Sequence, residues 1–420
     1  MMIRRLTNQL ARNREAVESL LSGFYVQALL LLSGVLIARA LGPDERGQLA
    51  LLWVIVLTIV LVGSLGLPQA VTFQIAQGRI SIADMRRKIR RPVAIQLAVM
   101  LGVAGVITVL STLSRVPWAP AFLSLVVIPA GLLQGYNLAM LQGASAFRAL
   151  HVLRTLPTGI NTLIVVIVLL LGLDTLFVVT LAAVIGYVVG SAVTWQVTNR
   201  HIRTSAGPKA DTSPPLREMQ RFGLRGFLGS VSPTETFRVD QLVVGLLLST
   251  TDLGLYVAAL AFCNLPRFLA QALGLVAFPR IAQDNEAHRR RRLWQFTALG
   301  TAAAAAVSLP LALMAGVLVP LAFGEDFRPA VSATQVLLGG TVVLCTRRVM
   351  SECMRGAGVP GAGSIAEALS LVALAPALVL LVPPYGLLGV AWALAVSYAV
   401  SLFVLLVIAW RHGFGWNPRA

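Results

Sequence analysis

The sequence predicts an all-α polytopic membrane protein. It has about twelve transmembrane helices, arranged as two six-helix bundles in a parallel repeat. Three observations carry this reading. The 420 residues are 57% hydrophobic and only 12% charged, against about 25% charged in a soluble domain. Apolar runs near 20 residues long, such as 49–67, 160–171 with its flanks, and 387–410, recur along the whole chain, and helices of about that length cross a bilayer core of about 30 Å. Basic residues also concentrate in alternate loops, as the positive-inside rule requires.

The spans are placed, in order, at 20–40, 48–74, 92–112, 119–142, 155–173, 176–197, 222–249, 253–279, 293–321, 330–352, 362–382 and 387–410. The opening segment MMIRRLTNQLARNREAVE is charged throughout and lacks the apolar core of a cleaved signal, so the first span is expected to stay. One set of loops carries most of the basic side chains: Arg4, Arg5, Arg12 and Arg14; Arg79, Arg86, Arg87, Lys88, Arg90 and Arg91; Arg148 and Arg154; Arg200, Arg203, Lys209, Arg217 and Arg221; Arg280 and Arg289 to Arg292; Arg355; Arg411 and Arg419. The opposite loops hold only Arg39, Arg46, Arg115 and Arg328. Both termini are therefore expected on the cytoplasmic side. Topology accounts for most of the net charge of +17, and no nucleic-acid partner is implied. Cys263, Cys345 and Cys353 fall in or at the ends of spans without metal-site or disulfide spacing.

The longest hydrophilic connection, rich in Pro, Ser and charge, follows the sixth span. It divides the chain into an N-terminal six-helix bundle (1–198), a cytosolic linker (199–217) and a C-terminal six-helix bundle (218–420). The halves echo each other. LGPDERG (41–47) and LSTTDLG (248–254) are each followed by an apolar run and then IAQ, at 75–77 and 281–283, while IGY (185–187) matches VSY (396–398). Six spans per half bring both halves in from the same side. The repeat is thus parallel, an architecture of transporters that bind substrate between their halves.

Charges inside the spans identify the candidate site. Glu235, Arg238 and Asp240 lie within six residues, and each charge at mid-membrane costs about 2.5 kcal/mol or more. Glu235 and Arg238 share a helix face and are able to pair; Asp240 points elsewhere, and Pro233 is expected to kink the span. In the eighth span Asn264, Arg267 and Gln271 form a polar stripe around Pro266. Arg267 has no acid on its own face, so it needs a partner on another helix or an anionic ligand. Gln27 and Arg39 in the first span, Gln134 and Asn137 in the fourth, and Thr341, Cys345, Arg348 and Glu352 in the tenth extend the polar set. For Arg348 and Glu352, snorkelling to the interface stands beside a cavity role. For Glu235–Arg238, a structural pair stands beside ligand contact. Arginines and amides suit an anionic substrate, because guanidinium binds phosphate through two parallel bonds and stays charged. Glu235 and Asp240 are the candidates for ion coupling.

No phosphate-binding GxxxxGK[ST] loop, no HExxH and no nucleophile–base set is present. Short outward loops leave little room for a glycan-assembly active site, so no catalytic residues, cofactor or metal are assigned. A cation-coupled multidrug exporter remains an alternative, as does, less favoured, a membrane-embedded glycan-assembly enzyme.

IARALGPDERG (37–47), RVDQLVVGLLLSTTDLGLYVAA (238–259), FPRIAQ (278–283), MRGAGVPG (354–361) and YGLLGVAWA (385–393) occur in an order that resembles the polysaccharide and O-antigen flippases of the multidrug/oligosaccharidyl-lipid/polysaccharide exporter superfamily. The resemblance covers nearly the whole chain. It implies a MATE-like or flippase-like pair of bundles in the bacterial inner membrane, moving an undecaprenyl-diphosphate-linked oligosaccharide by alternating access. It also implies contact with membrane lipid and association with other polysaccharide-assembly membrane proteins. The family's arginine-rich cavity would correspond here to Arg238 and Arg267, with Arg39.

Overall fold

The structure, a computed structural model, describes residues 2–112, 116–204, 212–230, 238–283 and 286–414. The described residues are helical: α1 Met2–Gly63, α2 Leu67–Ala76, α3 Ile82–Thr112, α4 Trp118–Ser124, α5 Val127–Gly143, α6 Phe147–Leu170, α7 Leu176–Thr204, α8 Leu216–Ser230, α9 Val239–Leu247, α10 Thr250–Ala282, α11 Glu286–Leu313, α12 Ala315–Phe323, α13 Ala330–Gly356 and α14 Ala362–Ala409.

Eight helical stretches among the described residues are long and apolar enough to cross a membrane. Two of these, Tyr25–Gly63 and Ala362–Phe414, run to 39 and 53 residues, or about 58 and 80 Å as continuous helix. Each exceeds a single crossing, and each breaks at a glycine with positive φ: Gly42 at 70° before Pro43, and Gly386 at 53° after Pro383 and Pro384. Both are therefore double crossings. With α6 and the helices α8 and α9, the described residues are consistent with the roughly twelve crossings that the sequence predicts.

Some spans are broken where one continuous helix was expected. The second stops at Gly63 and resumes at Leu67, around Leu65 and Gly66, both with positive φ. The fourth is α4 plus α5, and the ninth is α11 plus α12. The seventh starts earlier than expected, at Leu216, and its middle, with Pro233 and Glu235, lies outside the described residues.

The chain forms two compact units: 1–41 with 48–231, and 42–47 with 232–420. The hydrophilic connection at 199–217 thus lies inside the first unit. The reason is α8. It buries Met219, Gly223 and Phe227 and packs on α2, with Gly66 so close to Gly223 that a Cβ would strike the Gly223 carbonyl, and Phe73 stacked on Phe222 at 4.7 Å. The core of the first unit joins Leu67, Ala70 and Val71 of α2 to Ile128, Leu132 and Met140 of α5, with Met85 and Met219 closing it. In the second unit, Ala270, Ala277 and Ile281 of α10 pack with Val349, Met350 and Cys353 of α13 and Leu405 of α14. Small residues let these helix backbones approach closely, as membrane packing favours.

Candidate functional site

The second unit holds the most concentrated intramembrane chemistry. Its frame is the α9–α10 corner. Ser249 caps α10 by accepting from the Asp252 amide at 2.9 Å, while the Asp252 carboxylate accepts from the Ser249 amide at 3.2 Å. This capping box ends one helix and starts the next. It brings Asp240, in the first turn of α9, against Tyr256 on α10.

Asp240 is buried. Its Oδ2 accepts from the Tyr256 hydroxyl at 2.6 Å, while its Oδ1 has no hydrogen-bond partner. Arg267 lies further along α10, directly after Pro266. Its guanidinium interacts electrostatically with Asp240, Tyr256, Tyr398 and Cys263, and its buried Nε lacks a hydrogen-bond partner. Asp240, on a neighbouring helix, is the acid whose charge reaches Arg267. Pro266 removes one intrahelical donor, and the Pro266 carbonyl accepts from the Cys345 thiol at 3.4 Å. Asn264 and Gln271, one turn before and after Arg267, are both exposed. The result is a buried acid–phenol pair and a half-buried guanidinium on α10, with exposed amides one turn to either side of it. An unsatisfied carboxylate oxygen and an unsatisfied guanidinium nitrogen are costly to leave buried, and both are able to bind a water, an ion or a polar ligand.

Arg238 caps α9 in the left-handed conformation at φ 48° and is exposed. Arg46, in the 42–47 segment of the same unit, feels its like charge. The pairing of Arg238 with Glu235 falls outside the described residues. The 42–47 segment sits on the start of α10: the Thr250 and Thr251 hydroxyls donate to Asp44 Oδ1. Of the candidates in the first unit, Arg39 is exposed and Gln27 half-buried, both on α1.

Residues 14–284 match the profile of a protein family described as polysaccharide biosynthesis protein, which is more than half of the chain. The chain belongs to that family. Within the matched residues lie Arg238, Asp240, Asn264, Arg267 and Gln271. A relative in Haloferax volcanii, described as a probable low-salt glycan biosynthesis flippase, Agl15, is 21% identical over 169 residues, 39% of this chain and 35% of the relative. The chain thus matches about a third of that relative's length. Among solved structures, the fold is similar to the lipid II flippase MurJ in an inward closed conformation (TM-score 0.70, 13% identity, covering 93% of this chain and 86% of that one). It is also similar to an inward-facing multidrug resistance MATE family transporter of the MOP superfamily (TM-score 0.64, 16% identity, 92% and 94%) and to an outward-facing one (TM-score 0.61, 15% identity, 96% and 94%).

Several polar contacts of this polysaccharide biosynthesis family member depart from the sequence reading. On α13, the polar stripe Thr341, Cys345, Arg348, Glu352 does not hold the buried ion pair. That pair is Arg347 with Glu367 of α14, both buried, whereas Glu352 pairs locally with exposed Arg355 at 3.0 Å. Two residues on adjacent helices share no sequence spacing, so only the fold reveals them. Asn137 is buried, its Oδ1 accepting from Arg86 and its amide donating to the Leu133 carbonyl. Arg86 itself read as one more basic loop residue. It instead donates to Asn137 at 3.0 Å and to Asn199, and lies over the Trp195 ring at 3.9 Å, pinning α3, α5 and α7 together. Tyr256 and Tyr398 were also missed, since a tyrosine in an apolar span reads as packing.

Proposed function

We propose that the protein is a flippase that moves a lipid-diphosphate-linked oligosaccharide, of the undecaprenyl type, across the bacterial inner membrane, with both termini cytoplasmic. The halves 1–198 and 218–420, joined by the 199–217 connection, alternate access to the substrate. The observation that carries this reading is Arg267, a guanidinium held within an apolar helix with an unsatisfied Nε and an exposed amide one turn to either side. That chemistry fits a phosphate that must leave water without being neutralised. Arg238, Arg267 and Arg39 take the diphosphate; Asn264, Gln271 and Gln27 take sugar hydroxyls. Asp240, with Glu235, serves ion coupling, and the chain needs no cofactor and performs no bond chemistry. Membership of a polysaccharide biosynthesis family supports this, as do a relative described as a glycan biosynthesis flippase and a fold shared with a lipid II flippase. Other membrane proteins of polysaccharide assembly are the expected partners.

The test is a strain lacking this protein and any other flippase for the same glycan. The lipid-linked unit should accumulate on the cytoplasmic leaflet and clear when the protein is restored. Normal delivery to the outer leaflet in its absence would rule the reading out. A changed drug-susceptibility profile with normal glycan export would favour the drug-exporter alternative.

A further inference from the structure

At the basic end of the second unit, away from the Arg267 group, Arg280, Arg292, Gln295, Phe296 and Leu299 line an open groove of about 450 Å³. The volume falls within the roughly 300–1,000 Å³ usual for small-ligand sites. The two arginines come from different helices. Arg280 ends α10, and Arg292 begins the membrane-directed part of α11, just after the arginine run 289–291. The order along α11 is informative. Phe296 lies about 6 Å and Leu299 about 10 Å further along the axis than Arg292. The lining therefore passes from guanidinium, through an amide, to an aromatic ring and an aliphatic side chain over two turns.

We infer that this groove is a binding site for an anionic phospholipid, with Arg280 and Arg292 on the phosphate, Gln295 on the glycerol ester, and Phe296 and Leu299 against the first acyl methylenes. The charge fits: basic pockets between membrane helices at the basic-loop face attract anionic headgroups, and forked guanidinium contacts add selectivity beyond charge alone. A water-soluble anion would leave Phe296 and Leu299 wet, so the apolar end of the groove calls for a chain-bearing ligand. Nothing in this inference requires transport, so it stands or falls independently of the proposed function.

The experiment uses the full chain in nanodiscs of equimolar phosphatidylglycerol and phosphatidylcholine, with retained lipid read by native mass spectrometry. The wild type should keep phosphatidylglycerol in preference. R280A/R292A should lower that preference about tenfold, from two- to fivefold for each exposed charge. R289A/R290A removes the same charge next to the groove and should stay within about twofold of wild type. R280K/R292K, the variant least able to disturb folding, should fall in between, because ammonium keeps charge and loses the fork. Equal loss in both alanine pairs, no loss in R280A/R292A, or wild-type retention in the lysine pair would overturn the site in favour of bulk surface charge. Preferential retention of an added polyprenyl diphosphate over phosphatidylglycerol would overturn it in favour of substrate.

Discussion

A guanidinium with an acid nearby does two jobs, and the variants separate them. In Arg267→Ala, losing a charge-assisted contact to the diphosphate costs about 1.5–3 kcal/mol, roughly ten- to a hundredfold in apparent affinity. Glycan export should fall by that order while membrane abundance holds. Arg267→Lys should recover only part, since the forked geometry is gone. If the residue serves only to neutralise Asp240, abundance and export should fall together in Arg267→Ala, because a buried carboxylate loses its counter-charge. Arg347–Glu367 is the contrasting case. With both partners buried, Glu367→Gln strands a charge and should cost about 3–5 kcal/mol, while Arg347→Met with Glu367→Leu should regain most of that loss. Thermal unfolding in detergent checks the order: single variant well below wild type, double variant close to it.

Among the elements, the corner between α9 and α10 depends on close backbone approach. A Cβ on Gly254 would strike the Pro43 carbonyl, and one on Gly47 would strike the Thr250 carbonyl. The two contacts exchange equivalent positions of LGPDERG and LSTTDLG, the motifs that marked the internal repeat. Gly254→Ala should therefore destabilise at or above the 1–3 kcal/mol typical of overpacking, because backbone rather than a flexible side chain must move. Gly42→Ala meets nothing within 4 Å but has to hold φ 70° with ψ 179°, a region open essentially to glycine alone, at a cost of about 1–3 kcal/mol. Melting temperatures of the two variants should rank Gly254→Ala lower; the reverse order would show that strain at Gly42 outweighs the clash.

For the molecule as a whole, the membrane potential is the expected driving force. A diphosphate carrying about two negative charges, moved outward down an interior-negative potential, gains about 2.3 kcal/mol per charge per 100 mV. In proteoliposomes, the initial rate of outward movement should rise with an imposed interior-negative potential. A rate indifferent to potential but abolished by collapsing a proton or sodium gradient would shift the driving role to the buried Asp240 carboxylate.

By itself the sequence determined what depends on local composition and order: the helical membrane class, its roughly twelve crossings, the repeat marked by LGPDERG and LSTTDLG, and the arginine and amides of α10. Hydropathy, charge alternation and helical spacing act along the chain, so they are readable from it. Tertiary structure decided which charges meet. Asp240 with Tyr256, Arg347 with Glu367, and Arg86 with Asn137, Asn199 and Trp195 all pair residues from different helices, and burial makes those pairings matter. A helix face can be counted from spacing, but the neighbour it meets depends on how helices pack, and in an apolar span a tyrosine or asparagine looks like core until its partner is seen. Placing α8 with the first unit was decided the same way, by the approach of Gly66 to Gly223, which no pattern along the chain announces.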